Sequence, residues 1–414
     1  MAKQPNGATL KVTVGDPVII DQYEGIETDA NEQTHHFCGL IRAGNGNLIA
    51  LYSLRRDAAW PKAVPLKEFL KRNVGYRISA DNGRTWTAQR DLDYGGVDGG
   101  TLANGTVLVP TSWSKSSWWV DEHEMRVMIN RSEDGGETWK REEDVRVRFP
   151  ENRTLRRYPP AHPGDPDPAS IGFWVGPILP VEAETALVTM SGLFAEKAPH
   201  RRDDQCSSIL VETRDGGRSW AFVSCIAGDK PSGHRGYFGT ALTRLENGDL
   251  LAVAQTEDAQ PRIMVQCWSR DVGRTWTTPI PVPGLPGVDP VDRHYTTPDG
   301  REANFNGAYQ HPVLARLDNG VLALTYGRPG IKVAFNLDGT GRFWEEITEI
   351  VPVAAPYSYA PYDVTSGKPG LVPIGPDRLL LVYDVYNYAE TSNGPRRNTV
   401  FARELRVRKI GGGG

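Results

Sequence analysis

An eight-residue pattern, Ser/Thr-x-Asp-x-Gly-x-Thr/Ser-Trp, recurs along this chain and leaves few folds open to it. It reads SADNGRTW at Ser79–Trp86, SEDGGETW at Ser132–Trp139, TRDGGRSW at Thr213–Trp220 and SRDVGRTW at Ser269–Trp276. A worn copy, NLDGTGRFW, spans Asn336–Trp344. The Asp can accept backbone N–H bonds inside a tight turn, and the Gly supplies a positive φ there. The Trp can fold back over the turn as an apolar plug. Asp81, Asp134, Asp215 and Asp271 are therefore read as turn formers and not as catalysts.

A second repeat precedes each octet: an apolar run, a Gly turn, another apolar run. Copies start at Phe37 (FCGLIRAGNGNLIALYS), Gly99, Val175, Gly239, His311 and Pro369. Asn-Gly or a similar pair between apolar runs signals a β-hairpin. Successive octet Asp residues lie 53, 81, 56 and 67 apart, so 414 residues hold about six and a half repeats. The sixth hairpin has no octet after it. Its outer strands are expected in TVFARELRVRKI (Thr399–Ile410) and, from the other end of the chain, TLKVTVGDPVII (Thr9–Ile20), a pairing that would close a ring and remove its open edges.

The octets resemble the Asp-box, or BNR repeat, of sialidase-type proteins, and the resemblance covers nearly the whole chain. It implies an all-β, six-bladed β-propeller of four-stranded antiparallel blades, with residues 1–410 as one domain and 411–414 as a flexible glycine tail. In that family the boxes join the third and fourth strands of a blade, on the face away from the substrate pocket. The opposite face then carries the loops into each inner strand and those between strands two and three. Two long insertions, Phe149–Trp174 and Val282–Gln310, fall on that face, where irregular loops are usually functional.

Sialidases clamp a carboxylate with three arginines and use a Tyr nucleophile, a Glu and an acidic Asp, an exception among glycosidases. Counting from each hairpin glycine, the match is partial. His36 stands where the first arginine belongs, Gln255 near the second, and Arg328 matches the third. The Tyr position falls at Gly367 or Lys368, with Tyr362 just upstream. One guanidinium can bind a carboxylate bidentately but cannot form a three-sided clamp. The expected activity is therefore an exo-acting glycoside hydrolysis of a terminal sugar other than orthodox sialic acid. Candidate catalytic residues are Asp57 as proton donor, Glu257 or Asp258 as base or nucleophile, and His36, Tyr237 and Tyr362. Candidate substrate contacts are Arg328, Gln255, His35, Arg56, Arg235, Trp174, Gln310, His311 and Asp98. Carboxylates, imidazoles and arginines converging on one funnel suit acid/base chemistry on a sugar.

Three other readings stay open at this level: an exo-sialidase, a uronate lyase and a non-catalytic glycan-binding propeller. In the lyase, Arg328 or Arg235 would neutralise the carboxylate while His36 or Tyr237 takes the proton. Net charge is −4 with no basic tract, which argues against nucleic acid and membrane surfaces as partners. Four scattered cysteines show no paired spacing, so reduced thiols are expected. His35, His36 and His311 match no metal-site spacing, and no phosphate loop or nucleophile elbow occurs. No cofactor or metal is expected; the partner is a glycan, and an oligomer is left open. The opening MAKQPNGATL has no apolar run, which favours a cytoplasmic reading.

Overall fold

In the computed structural model, the residues described are 9–23, 35–54, 74–111, 117–160, 163–173, 177–195, 206–228, 236–256, 263–285, 293–296, 302–305, 310–327, 330–352, 365–391 and 394–410. Their regular structure is all strand. Each of the six expected hairpins forms, beginning with His36–Arg42 against Leu48–Ser53 and ending with Gly370–Gly375 against Arg378–Tyr388. Around them stand four-stranded antiparallel sheets. His36–Arg42, Leu48–Ser53, Val74–Ser79 and Arg90–Leu92 make the first. Tyr237–Arg244 to Ile280–Pro281 make the fourth, and Gln310–Arg316 to Glu346–Val351 the fifth. The second and third units fuse into one sheet because Lys140–Arg148 and Ser219–Ala227 pair in parallel at their outer edges.

The last unit takes its outer strand from the other end of the chain, as expected. Thr9–Val14 runs antiparallel to Arg397–Ile410 with Thr9 opposite Ile410, and Val18–Gln22 pairs further along the same strand. Clusters of Leu, Ile, Val and Tyr from facing sheets fill the space between neighbouring units.

The octets build one loop repeatedly. In the second, Ser132 Oγ donates to Asp134 Oδ1 (2.8 Å) and accepts from the Gly136 N–H (2.8 Å). Asp134 also accepts from the Thr138 N–H (2.9 Å) and hydroxyl (2.5 Å). The same bonds hold Asp81, Asp215 and Asp271. In the worn copy Asn336 does the work of the serine, donating to Asp338 and accepting from the Gly341 N–H. With its polar groups satisfied inside the loop, each turn can lie against apolar side chains of the preceding unit. A Cβ on Gly136 would come within 2.7 Å of Ile49, on Gly217 within 2.5 Å of Leu108, and on Gly83 within 2.5 Å of Leu380. The last of these joins the first unit to the final one and closes a ring, the radial arrangement of a β-propeller. Trp86 and Trp276 fold back as expected, their indole N–H groups donating to Gly83 and Gly273 of their own turns.

Near the axis the inner strands approach too closely for side chains. A Cβ on Gly39 would lie 1.6 Å from the Val97 carbonyl oxygen. Gly39→Ala is therefore expected to cost more than ~3 kcal/mol, the top of the ordinary overpacking range, because rigid backbone has to move; urea unfolding measures it.

The turn carboxylates also set an acid limit. The hydroxyls of Thr85, Thr138 and Thr275, followed by the N–H groups of the same residues, hold Asp81, Asp134 and Asp271 at about 2, below the ordinary 3.8. A depressed folded value means stability that is complete above the unfolded value and lost as pH falls through the folded one. The melting temperature should therefore drop between about pH 4 and pH 2, and Asp134→Asn should flatten that slope while lowering the plateau.

Candidate active site

Three inner strands begin with the same irregularity. A bulge separates His36 from Cys38, Phe238 from Ala241, and Gln310 from Val313, and within each sits a residue with positive φ: Phe37 at 53°, Gly239 at 55° and His311 at 55°. Bulges of this kind re-aim side chains, and a left-handed Phe or His is unusual enough to signal a constrained site. Here they bring the heads of separate strands together. The Phe37 and His311 rings meet edge to face, 6.0 Å between centroids, and His36 lies 4.6 Å from Phe37. The Gln255 amide oxygen, from the strand Leu250–Thr256, accepts the His311 N–H at 3.0 Å. Gly239 must lack a side chain because a Cβ there would press on that amide at 3.2 Å. His36, Gln255, Gln310 and His311 are all buried. The sequence reading selected these four, and the fold gathers them where the inner strands begin.

Beside them stands an ion pair that the sequence reading half anticipated. Lys368 Nζ lies 2.6 Å from Asp98 Oδ2, with both side chains largely buried. The two residues precede the inner strands of the last and second units, so the pair spans the first unit's strand between them. That strand is also bound to Lys368 directly, since the Cys38 N–H donates to the Lys368 carbonyl (3.0 Å). Asp384, fully buried, fixes the approach to Lys368 by accepting the Ser366 N–H (2.7 Å) and hydroxyl (2.5 Å). Ser366 Oγ in turn accepts the Phe37 N–H at 3.1 Å. Asp98 was expected as a substrate contact; its Oδ2 instead carries this ion pair.

Two further candidates are placed by their contacts. His35 faces away from the Phe37–His311 group. Its Nε2 is 3.4 Å from Asp21, its ring stacks on Tyr52, and Arg77 (2.7 Å) and the Tyr52 hydroxyl also bind Asp21. Burial pushes the Asp21 carboxyl up, but hydrogen bonds from His35, Arg77 and Tyr52 outweigh it and bring it to about 2. This cluster ties the strand Val18–Gln22 to the first unit, so His35 is a structural residue. Tyr237, also expected as a catalytic residue, is packed at 1% exposure, and its backbone N–H donates to the Cys206 carbonyl (2.8 Å). The insertion beginning at Phe149 pairs back onto Ser117–Trp119 and the end of Ala186–Gly192. Trp118 is buried beneath Arg126 and is not offered to a ligand. All four cysteines are free. Asp57, Arg56, Trp174, Arg235, Glu257, Asp258, Arg328 and Tyr362 lie outside the described residues.

Ser366, Lys368 and Asp384 were missed as site residues. Asp384 had a signal: a lone carboxylate in the apolar run LLLVYDVY.

No family model and no curated protein sequence matches the chain. Solved structures do. A protein of unknown function from Dyadobacter fermentans aligns over 96% of this chain and 99% of its own, at 15% identity and TM-score 0.60. A Hadza microbial sialidase aligns over 92% and 66% of the two chains, at 16% identity and TM-score 0.53. An α-L-arabinanase of Penicillium chrysogenum, solved with arabinobiose, aligns over 94% and 98%, at 15% identity and TM-score 0.53. At such identities the likeness establishes the fold: this chain folds as the propeller glycosidases do.

The ion pair gives a direct test of the site's framework. Removing one partner of a buried pair leaves an uncompensated charge and typically costs 3–5 kcal/mol. Lys368→Met and Asp98→Asn should each destabilise by about 3 kcal/mol, and the double variant by clearly less than their sum, as measured by chemical denaturation.

Proposed function

We propose that the protein is an exo-acting glycoside hydrolase built on six sialidase-like blades, and that it removes a terminal neutral sugar from a glycan. The observation that carries the reading is the meeting of His36, Gln255, Gln310 and His311, from three units, around the bulged strand heads. The chain segments that follow or adjoin these strands contain Asp57, Glu257, Asp258 and Arg328. The arabinanase whose structure this chain resembles was solved with arabinobiose, a neutral disaccharide.

In this reading Asp57 protonates the glycosidic oxygen as the bond to the leaving group breaks. Glu257 or Asp258 activates water or attacks the anomeric carbon, and the oxocarbenium-like transition state is shared between the two carboxylates. Arg328, His36 and Gln255 bind hydroxyls of the terminal sugar. The bulges hold the imidazole and amide before substrate arrives, so little ordering is left for the bound state.

The test is a panel of aryl glycosides, including α-L-arabinofuranoside and sialoside, together with arabino-oligosaccharides. A monosaccharide should appear from the non-reducing end of a neutral substrate. Asp57→Asn should lower kcat by about 10²–10⁴, the range for a lost general acid. No turnover across the panel, or full activity in Asp57→Asn, would refute the assignment, and a product absorbing as an unsaturated uronate would convert it to a lyase.

A further inference from the structure

The face that carries the octet turns holds a cleft of about 580 Å³ between the fourth and fifth units, lined by the hairpin turn at Leu245–Asp249, by Trp268 and by the worn turn around Asp338. That volume is within the range of small-molecule sites. Comparison among the repeats shows what is special about it.

In the third unit, the arginine inside the octet, Arg214, is neutralised by Glu212 two residues earlier (2.7 Å). In the fourth unit the residue corresponding to Glu212 is Trp268. Arg270, the counterpart of Arg214, has no hydrogen-bonded or ion-paired partner among the described residues and lines the cleft instead. A second guanidinium is released by the worn octet. Arg218 and Arg274 fold back to donate to the carbonyls of Asp215 (2.8 Å) and Asp271 (3.3 Å) of their own turns. The corresponding Arg342 makes no such bond to the Asp338 carbonyl; its charge acts on the Asp338 carboxylate, and both line the cleft. Between the two arginines lies Trp268, half-buried. Its indole N–H is already taken by the Thr340 carbonyl (3.0 Å), so what it presents to the cleft is ring surface.

We propose that this cleft binds a neutral saccharide, as a second site on the face opposite the strand heads. A tryptophan ring suits the C–H face of a sugar. Arg270 and Arg342 are donors only, whereas Glu246, Asp249 and Asp338, which also line the cleft, are acceptors. Hydroxyl groups can satisfy both at once. A carboxylated sugar would meet Glu246 and Asp249 as like charges, which places neutral sugars ahead of acidic ones. The proposal does not depend on catalysis at the strand heads.

Calorimetric titration with cellotriose, galactotriose and arabinotriose, and with 3′-sialyllactose as the acidic comparison, tests it. At least one neutral trisaccharide should bind at the cleft and lose tenfold or more in affinity at that site in R270A/R342A. Both arginines are at the surface, so the fold should survive. Trp268→Phe, which keeps apolar packing but removes the indole N–H and reduces the ring, should weaken the same sugar. Turnover of small aryl glycosides should be unchanged in R270A/R342A, which separates this site from the hydrolytic one. Absence of binding by all three neutral sugars, affinity untouched by the double substitution, or preference for sialyllactose would overturn the proposal.

Discussion

The contact on which the ring depends is that of an Asp-centred turn lying against the apolar side chains of the unit before it. A loop at a sheet edge normally needs water or a partner for its backbone groups. Here the Asp, its Ser or Thr two residues earlier and its Thr or Ser four residues later form a closed set of hydrogen bonds. The outward surface can then be nearly bare glycine, and the neighbour supplies Leu or Ile. Gly83 meets Leu380, Gly136 meets Ile49, Gly217 meets Leu108, Gly273 meets Leu210 and Gly341 meets Leu251. Each unit thus docks on the one before, and the first docks on the last. Where a sixth turn would stand, the chain has its two pairing ends, and Asn319 of the fifth unit's hairpin binds the Val407 carbonyl instead (3.0 Å).

Inner strands lie backbone to backbone, as at Gly370 and Leu40, where a Cβ on the glycine would come within 2.4 Å of the Leu40 nitrogen. Three of them interrupt their ladders with a bulge and a left-handed residue, and the side chains beside those bulges form the polar group of His36, Gln255, Gln310 and His311.

These contacts explain which parts of the molecule were legible in the sequence. Octets and hairpins are local, and each can be read from a dozen residues. The pairing of Thr9–Val14 with the C-terminal strand was legible because a unit lacking its outer strand has few other solutions. Of the four polar residues at the strand heads, His36 and Gln255 could be found by counting from the hairpin glycines, and Gln310 and His311 by their place just before an apolar strand. Lys368 with Asp98 could not, because 270 residues separate them and neither has a motif. His35 looked like its neighbour His36, but it precedes the strand with a left-handed backbone (φ 63°), and Asp21, from the closing strand, takes it.

The electrostatics of the described axial region bear on the sugar. The lysine nearest the strand heads is matched by Asp98 and so is not an uncompensated cation offered to an anion, while the nearby Asp384, held by the neutral Ser366, has the same sign as a substrate carboxylate. His36, Gln255, Gln310 and His311 are polar but not obligatory cations. A substrate carboxylate entering such a place would exchange full hydration for imidazole and amide groups and, in the proposed site, the single guanidinium of Arg328. Desolvating an anion costs several kcal/mol unless matched charge is waiting. A hydroxyl costs far less and is satisfied by amides and imidazoles. Under the proposed reading, a fold that in sialidases clamps an acidic sugar with three arginines would, with His36 and Gln255 at two of those positions, favour neutral ones.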